Sequence, residues 1–312
     1  MGTQLGNEAR SLIRGYQARA GLTGGQLGHL MGCAFQTMGQ FTSDNYPHDE
    51  DPLARRIIDW IEKNPPEIPA VDGRLYATKN VALLNAQIEA AWRGEVSLIY
   101  GPPGTQKTYA FQHRLAEIFR QDGLQAPRLA YIYASAAMTA RSLLAEIARS
   151  VVCYLSGTAY QLATNLVHAL RRRNPRPALI IDEAQHLGRS DHGDGRQMLE
   201  VLRELVDRAQ VGLVIAGHDD LETIFDPQRS PLEQWVSRID HRLRLPGLTA
   251  SEVRQIAAAE LGDVNEAGLK AILKESEADD RRLRTKYYSA RYLFKILAQV
   301  RAKRTKGNSK IH

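Results

Sequence analysis

Two short segments about seventy residues apart limit what this chain can fold into. The apolar run Val96–Tyr100 leads directly into Gly101, Pro102, Pro103, Gly104, Thr105, Gln106, Lys107 and Thr108. A second apolar run, Ala178–Ile181, ends in Asp182 and Glu183. The first segment predicts a strand, a glycine-rich turn and a helix start. In such a turn backbone N–H groups wrap phosphates, the lysine reaches the β and γ oxygens, and the hydroxyl reaches Mg²⁺. The second predicts a buried strand that delivers two carboxylates beside that metal and an attacking water. ATP and Mg²⁺ are therefore the expected ligands. A plain strand–helix turn would leave Lys107 unexplained, because a helix start disfavours a cation.

One position departs from the pattern G-x-x-x-x-G-K-[ST]: Gln106 stands where the last glycine belongs. Glycine there gives clearance near the phosphates. Glutamine is tolerated if the backbone has ordinary negative φ. A positive φ would strain it and weaken nucleotide binding or turnover.

The chain has 312 residues, enough for a full core with one or two small modules. Cys33 and Cys153 lie far apart with no metal-ligand spacing, so both are expected to be reduced thiols. No apolar run approaches the ~18 residues of a membrane span, and the N-terminus has no signal-like apolar region. A cytoplasmic protein, in a bacterial or phage-infected bacterial cell, is expected. The net charge is +6, and residues 281–312 hold no Asp or Glu. That basic segment predicts a polyanionic partner, most simply nucleic acid.

Three parts are expected along the chain. Residues 1–64 read as short helices: Asn7–Ala20, Gly24–Met31 capped by Thr23, Ala34–Thr42, and Pro52–Lys63. The turn around Gly32 and Cys33 has the size of a helix-turn-helix, in which Gln36, Thr37 and Gln40 would face bases; a protein-docking module fits equally well. Residues 65–71 form a proline-rich linker. Residues 72–247 alternate helix and strand, which predicts an α/β fold with a parallel sheet covered on both faces. The strands are expected at Val96–Tyr100, Arg128–Tyr133, Ala178–Ile181, Gly212–Ala216 and Arg242–Leu245, and helices at Ala77–Arg93, Thr108–Asp122, Ala140–Leu155, Leu162–Arg173 and Arg196–Ala209. Residues 248–312 read as an all-helical lid with a basic tail, through Ala250–Leu261, Glu266–Ser276 and Ser289–Arg304.

This layout resembles the P-loop ATPases of the AAA+ superfamily. Within it, the chain is similar to the transposition ATPases of the MuB/TnsC/IstB kind, nearest the target-DNA-selecting MuB branch. The resemblance rests on the order of several pieces: the N-terminal module ending at Trp60–Lys63, the glycine-rich loop, Ala169–Arg173, Leu179–Ala184 with His186–Gly188, Gly212–Gly217, Ser237–Ile239 and Ser289–Arg291. The chain departs from the family at Gln106 and in its basic tail.

The resemblance implies roles. Gly101 through Thr108, with Tyr109, would hold nucleotide; Thr108 and Asp182 would hold Mg²⁺; Glu183 would polarise water. His218 stands where a γ-phosphate sensor is expected, with Asp219 a competitor. Arg238 would be an arginine finger acting on a neighbouring subunit, with Arg242 and Arg244 as alternatives. Arg291 would be the second sensor arginine of the lid. Thr139 and Arg141, and the triplet Arg171, Arg172 and Arg173, are the candidate contacts to DNA phosphates.

The resulting expectation is an ATPase, slow and dependent on DNA and oligomerisation, that assembles on double-stranded DNA as a ring or filament and recruits a transposase. Rival expectations are a helicase loader or replication initiator, and a nucleotide-dependent docking scaffold without turnover.

Overall fold

The computed structural model describes residues 2–20, 22–66, 71, 73–122, 127–151, 157–188, 194–226, 233–280 and 282–308. Cys153, Arg281, Lys310, linker residues 67–70 and the expected helix end at 152–155 lie outside these residues.

Five strands, β1 (Val96–Tyr100), β2 (Leu129–Tyr133), β3 (Ala178–Asp182), β4 (Leu213–Gly217) and β5 (His241–Arg244), form one sheet in the order β2-β3-β4-β1-β5. Every neighbouring pair is parallel. Strands β1, β3 and β4 are buried along their whole length, as continuous apolar runs in a covered parallel sheet must be. Their side chains alternate between two cores. Leu98, Ile132, Ile181 and Ile215 pack against helices Ala140–Val151, Ala159–Arg171 and Asp194–Glu204. Ile99, Ile180, Val214 and Ala216 face helices Lys79–Trp92 and Lys107–Asp122 on the other side.

The register brings the functional ends together. Tyr100 of β1 lies opposite Gly217 of β4, and Ile181 of β3 opposite Ile215. Because β4 sits between β1 and β3, the residue after it, His218, emerges between the glycine-rich loop and the carboxylates.

Residues 2–64 form helices Gln4–Ala20, Gly24–Leu30, Phe35–Thr42 and Asp51–Lys63 around Ile13, Leu27, Met38, Phe41, Ile57 and Ile61. The Thr23 hydroxyl accepts from Gln26 N–H, the cap expected from the sequence. Arg10 is buried here and pairs with Glu50 and, at 2.8 Å, with Asp44. Gln36 is exposed, and Thr37 and Gln40 are half-buried.

The last part is not all-helical. Between helices Glu266–Ser276 and Ala290–Asn308 the chain makes an antiparallel hairpin of β6 (Glu277–Asp280) and β7 (Thr285–Tyr288). Its turn is organised by Asp280, whose carboxylate accepts from Arg282 N–H at 3.1 Å and Leu283 N–H at 3.0 Å. Leu248, Val253, Ile256, Leu293 and Leu297 form the lid core. No helix among the described residues is long and apolar enough to cross a membrane.

Candidate active site

The glycine-rich loop crosses from β1 to helix Lys107–Asp122, and the lid closes onto it. Gly104 has φ 84°, and a Cβ there would sit 2.1 Å from Ser289 Oγ. Its carbonyl accepts from Ala290 N–H at 3.0 Å, and the Tyr287 hydroxyl donates to Pro103 O at 2.8 Å. The loop therefore touches the start of the lid helix that carries Arg291.

Lys107 is buried inside this loop. Its ammonium donates to Gly101 O at 3.0 Å, Pro102 O at 3.4 Å and Thr105 Oγ1 at 3.0 Å. Burial pushes its pKa down to about 8, against the pull of Asp182, Glu183 and Asp219 and with help from Arg291. An ammonium held this way is a cation waiting for anionic oxygens.

Thr108 Oγ1 donates to Asp182 Oδ2 at 2.6 Å. Tyr131, which sequence reasoning missed, donates its hydroxyl to the same oxygen at 2.9 Å. Asp182 Oδ1 accepts from Glu183 N–H at 2.9 Å. Burial raises the Asp182 pKa, while the Thr108 and Tyr131 hydroxyls and the Glu183 N–H oppose the rise. Burial and the nearby Asp182 carboxylate raise the Tyr131 pKa, so the phenol stays a donor. A hydroxyl and a carboxylate in contact make a hard-oxygen pair suited to Mg²⁺, so the residues present fit that ion.

Glu183 has φ 55°, a left-handed backbone unusual for a residue with a Cβ. Its carboxylate is held from two sides. Gln185 Nε2 donates to Oε2, and His218 Nε2 lies 3.5 Å from the same atom. Gln185, a second residue missed from sequence, also accepts from His218 N–H at 3.2 Å. This tether needs Gly217, where a Cβ would fall 2.2 Å from Gln185 Oε1. Of the two sensor candidates, His218 lines the site. Asp219 does not line it: its carboxylate accepts from Arg244 at 3.2 and 3.1 Å, and its backbone carbonyl accepts from the Arg282 side chain at 2.9 Å.

Lys107, Thr108, Glu183 and His218 border a cavity of 490 Å³, within the range of about 300–1,000 Å³ for small-ligand sites. Pro103 through Tyr109, Glu183, His218 and Arg291 line it, whereas Gly101, Pro102 and Asp182 do not; Gly73, Arg74 and Phe294 form a wall not foreseen from sequence. Tyr76 stacks on Phe294 with ring centroids 6.0 Å apart, and its hydroxyl donates to Glu260, which pairs with Arg301.

Gln106 has φ 69°, the strained alternative of the two considered above. The remaining expected residues lie outside the cavity. Arg238 makes a two-pronged pair with Asp207, at 2.6 and 2.9 Å. Arg242 donates to Phe225 O at 3.1 Å, and Arg244 binds Asp219 and, at 2.6 Å, Asp280. Thr139 caps helix Ala140–Val151, where its hydroxyl accepts from Ser142 N–H, and Arg141 donates to Gly157 O at 3.0 Å. Arg173 is half-buried and donates to Val151 O and, at 2.7 Å, to Pro127 O, so it is tied to the backbone beneath it. Arg171 and Arg172 are exposed and pair with no described residue. Because Val151 ends the helix that Thr139 begins, the two groups of candidate DNA contacts are separated by its length, ~18 Å at 1.5 Å per residue.

Residues 93–225 match a family model described as an AAA domain. With the strand order and the loop geometry above, that match defines the fold. It is an AAA+ P-loop fold. No curated protein matches the sequence. Among solved structures, the Aeropyrum pernix ORC1 protein in complex with DNA is 20% identical with a TM-score of 0.49, over 77% of this chain and 63% of that one. AMPPCP-bound DnaA from Aquifex aeolicus is 15% identical with a TM-score of 0.48, over 74% and 64%. The Aeropyrum pernix ORC2 protein in ADPNP–ADP complexes is 20% identical with a TM-score of 0.45, over 61% and 53%. This chain thus spans less than two thirds of the length of each.

Proposed function

We propose that this AAA+ chain binds and slowly hydrolyses Mg²⁺-ATP, and that nucleotide controls its assembly on double-stranded DNA. The observation that carries this reading is the convergence of Lys107, Thr108, Asp182 and Glu183 at the ends of β1 and β3, with Thr108 Oγ1 2.6 Å from Asp182 Oδ2. Lys107 would exchange its carbonyl partners for phosphate oxygens. Thr108 and Asp182 would hold Mg²⁺, which would neutralise charge on the phosphates. Glu183 would orient the attacking water once Gln185 releases it. His218 and Arg291 would contact the γ-phosphate from the β4 and lid sides. Arg238 would exchange Asp207 for a neighbouring subunit's nucleotide, so turnover would follow assembly.

DNA would be held through phosphates by the exposed Arg171 and Arg172 or by Thr139 and Arg141. Binding would then be tolerant of sequence and steeply salt-dependent. The order of motifs along the chain supports a role in transposition, with the nucleotide-bound assembly recruiting a transposase and hydrolysis releasing it. The test is electron microscopy of the protein with double-stranded DNA, with and without Mg²⁺-ATP. Nucleotide-dependent rings or filaments support the reading; monomers under both conditions refute it. Capture of a transposase rather than a helicase by the assembled form separates transposition from replication loading.

A further inference from the structure

A glutamine at the glycine position of the loop carries two costs. Its φ of 69° is a backbone that L-residues adopt with strain. Its side-chain Nε2 is buried without a hydrogen-bond partner. Strained residues persist where the surroundings over-determine them, and the surroundings of Gln106 are specific.

Gln106 is 7% exposed, and its Oε1 accepts from Thr78 Oγ1 at 2.7 Å. Thr78 is 4% exposed and caps helix Lys79–Trp92 by accepting from Val81 N–H at 3.3 Å. With that oxygen engaged as an acceptor, its single proton goes to Gln106, which fixes which way the amide points. The next polar residue, Asn80, grips the loop at the adjoining position. Its Nδ2 donates to Thr105 O at 3.3 Å and to Pro246 O at 2.6 Å. Asn80 Oδ1, like Gln106 Nε2, is buried without a hydrogen-bond partner. The segment that supplies Thr78 and Asn80 continues from Gly73 and Arg74, which line the same cavity as Gln106.

We propose that Gln106 is a positioning residue that latches the phosphate loop: held by Thr78, its side chain fixes the loop's left-handed bend to the 73–80 segment and thereby sets nucleotide affinity. The effect on affinity rests on the ATP reading above; the latch itself does not. Where a glycine leaves the loop free to bend, the glutamine bends it once and ties the bend to the wall of the nucleotide cavity. Ligand binding then meets a loop already ordered, and contacts made at Gly73 and Arg74 are transmitted to the loop through two hydrogen bonds.

The test uses the full-length chain with Gln106→Gly, Thr78→Val and their combination, with Thr78→Ser as the conservative control. Two quantities are measured: hydrogen exchange of the 101–108 amides without nucleotide, and affinity for a fluorescent ATP analogue alongside kcat and KM. Both single variants are expected to speed loop exchange, and Thr78→Val to weaken analogue binding roughly fivefold, the size of one net hydrogen bond; Gln106→Gly loses the same bond but also the strain at φ 69°, so its loss of affinity is expected to be smaller. The saturated rate of Thr78→Val should stay within about twofold, because Thr78 lies outside the cavity and acts only by positioning the loop. The double variant should be no worse than the weaker single, and Thr78→Ser should behave as the parent. Unchanged exchange and affinity in Gln106→Gly would overturn the latch, as would losses that multiply in the double variant. Failure of the parent protein to bind the analogue would overturn the ATP reading alone, since exchange in the free protein still reports on the latch.

Discussion

Replacing Lys107 with methionine should make the nucleotide-free protein more stable while removing its response to ATP. The ammonium is held in a buried loop, and its pKa falls from 10.5 to about 8, chiefly through burial. At 1.36 kcal/mol per pH unit, holding the charge there costs the folded state about 3 kcal/mol. The lysine's contacts with Gly101 O, Pro102 O and Thr105 Oγ1, lost on substitution, offset about 1–3 kcal/mol of that gain. The net expectation at pH 7 is a variant more stable by up to about 2 kcal/mol, or up to about 4–8 °C in Tm at the scaling of a 150–250-residue domain. The pH dependence follows from the depressed folded-state pKa. Below pH 8 the lysine is charged in both states and the whole penalty is present. Between about 8 and 10.5 the folded state has lost the proton that the unfolded state still binds, so parent stability rises with pH and the gap closes. Urea unfolding at pH 7 and pH 10, with no nucleotide, reads both effects. Mg²⁺-ATP at a hundredfold excess over Kd should then stabilise the parent by about 2.7 kcal/mol and leave the variant unmoved. A variant less stable than the parent at pH 7, or a gap that does not narrow above pH 8, would show that the buried ammonium holds the loop together, and the reasoning would fail.

Glu183→Gln should abolish turnover and leave nucleotide binding intact, seen as retained analogue affinity with no phosphate release; persistent turnover would remove Glu183 from the chemistry. Arg238→Ala should also lose turnover, and mixing it with Glu183→Gln should restore activity through hybrid interfaces, whereas a finger acting within its own subunit gives no rescue. Since the Arg238–Asp207 pair is partly exposed, its loss should cost only about 0.2–1 kcal/mol in unfolding experiments. Arg171→Ala and Arg172→Ala should each lower the slope of log affinity for DNA against log salt by about 1. Arg173→Ala should instead destabilise the fold by about 1–3 kcal/mol, because two buried carbonyls lose their donor.

The parts of the fold legible in the sequence are those where one local signal suffices. Val96–Tyr100, Ala178–Asp182 and Leu213–Gly217 are buried throughout and almost wholly apolar because both sheet faces are covered, and the sequence reading of each lies within a residue or two of its observed ends. The loop and the paired carboxylates were legible because phosphate and metal chemistry demands particular residue types in order. The β6–β7 hairpin was not, since its residues are mostly charged and show neither helical nor strand periodicity; its turn depends on one carboxylate, Asp280. Tyr131 reaches Asp182 only through the parallel register of β2 and β3, which pairs residues about fifty apart. Gln185 lies two positions from Glu183, yet its role depends on the space left by Gly217 on another strand. A run of three arginines looks alike from sequence, and only packing separates Arg173, bound to carbonyls, from its exposed neighbours. Gln106 could be flagged as unusual, but its partner Thr78 lies in a segment with no motif of its own.

The bond between Ala290 N–H and Gly104 O joins the middle of the phosphate loop to the near end of the lid's last helix. That helix runs from Ala290 to Asn308, 19 residues and so ~28 Å long. It is a lever whose short arm is a single peptide bond in the loop. A tilt of about 10° at Gly104 would swing the far end by about 5 Å over that length. Beyond Arg301, which is tied to Glu260, the helix carries the exposed Lys303, so a shift in the loop too small to alter the sheet would be displayed at the surface as a displaced positive charge.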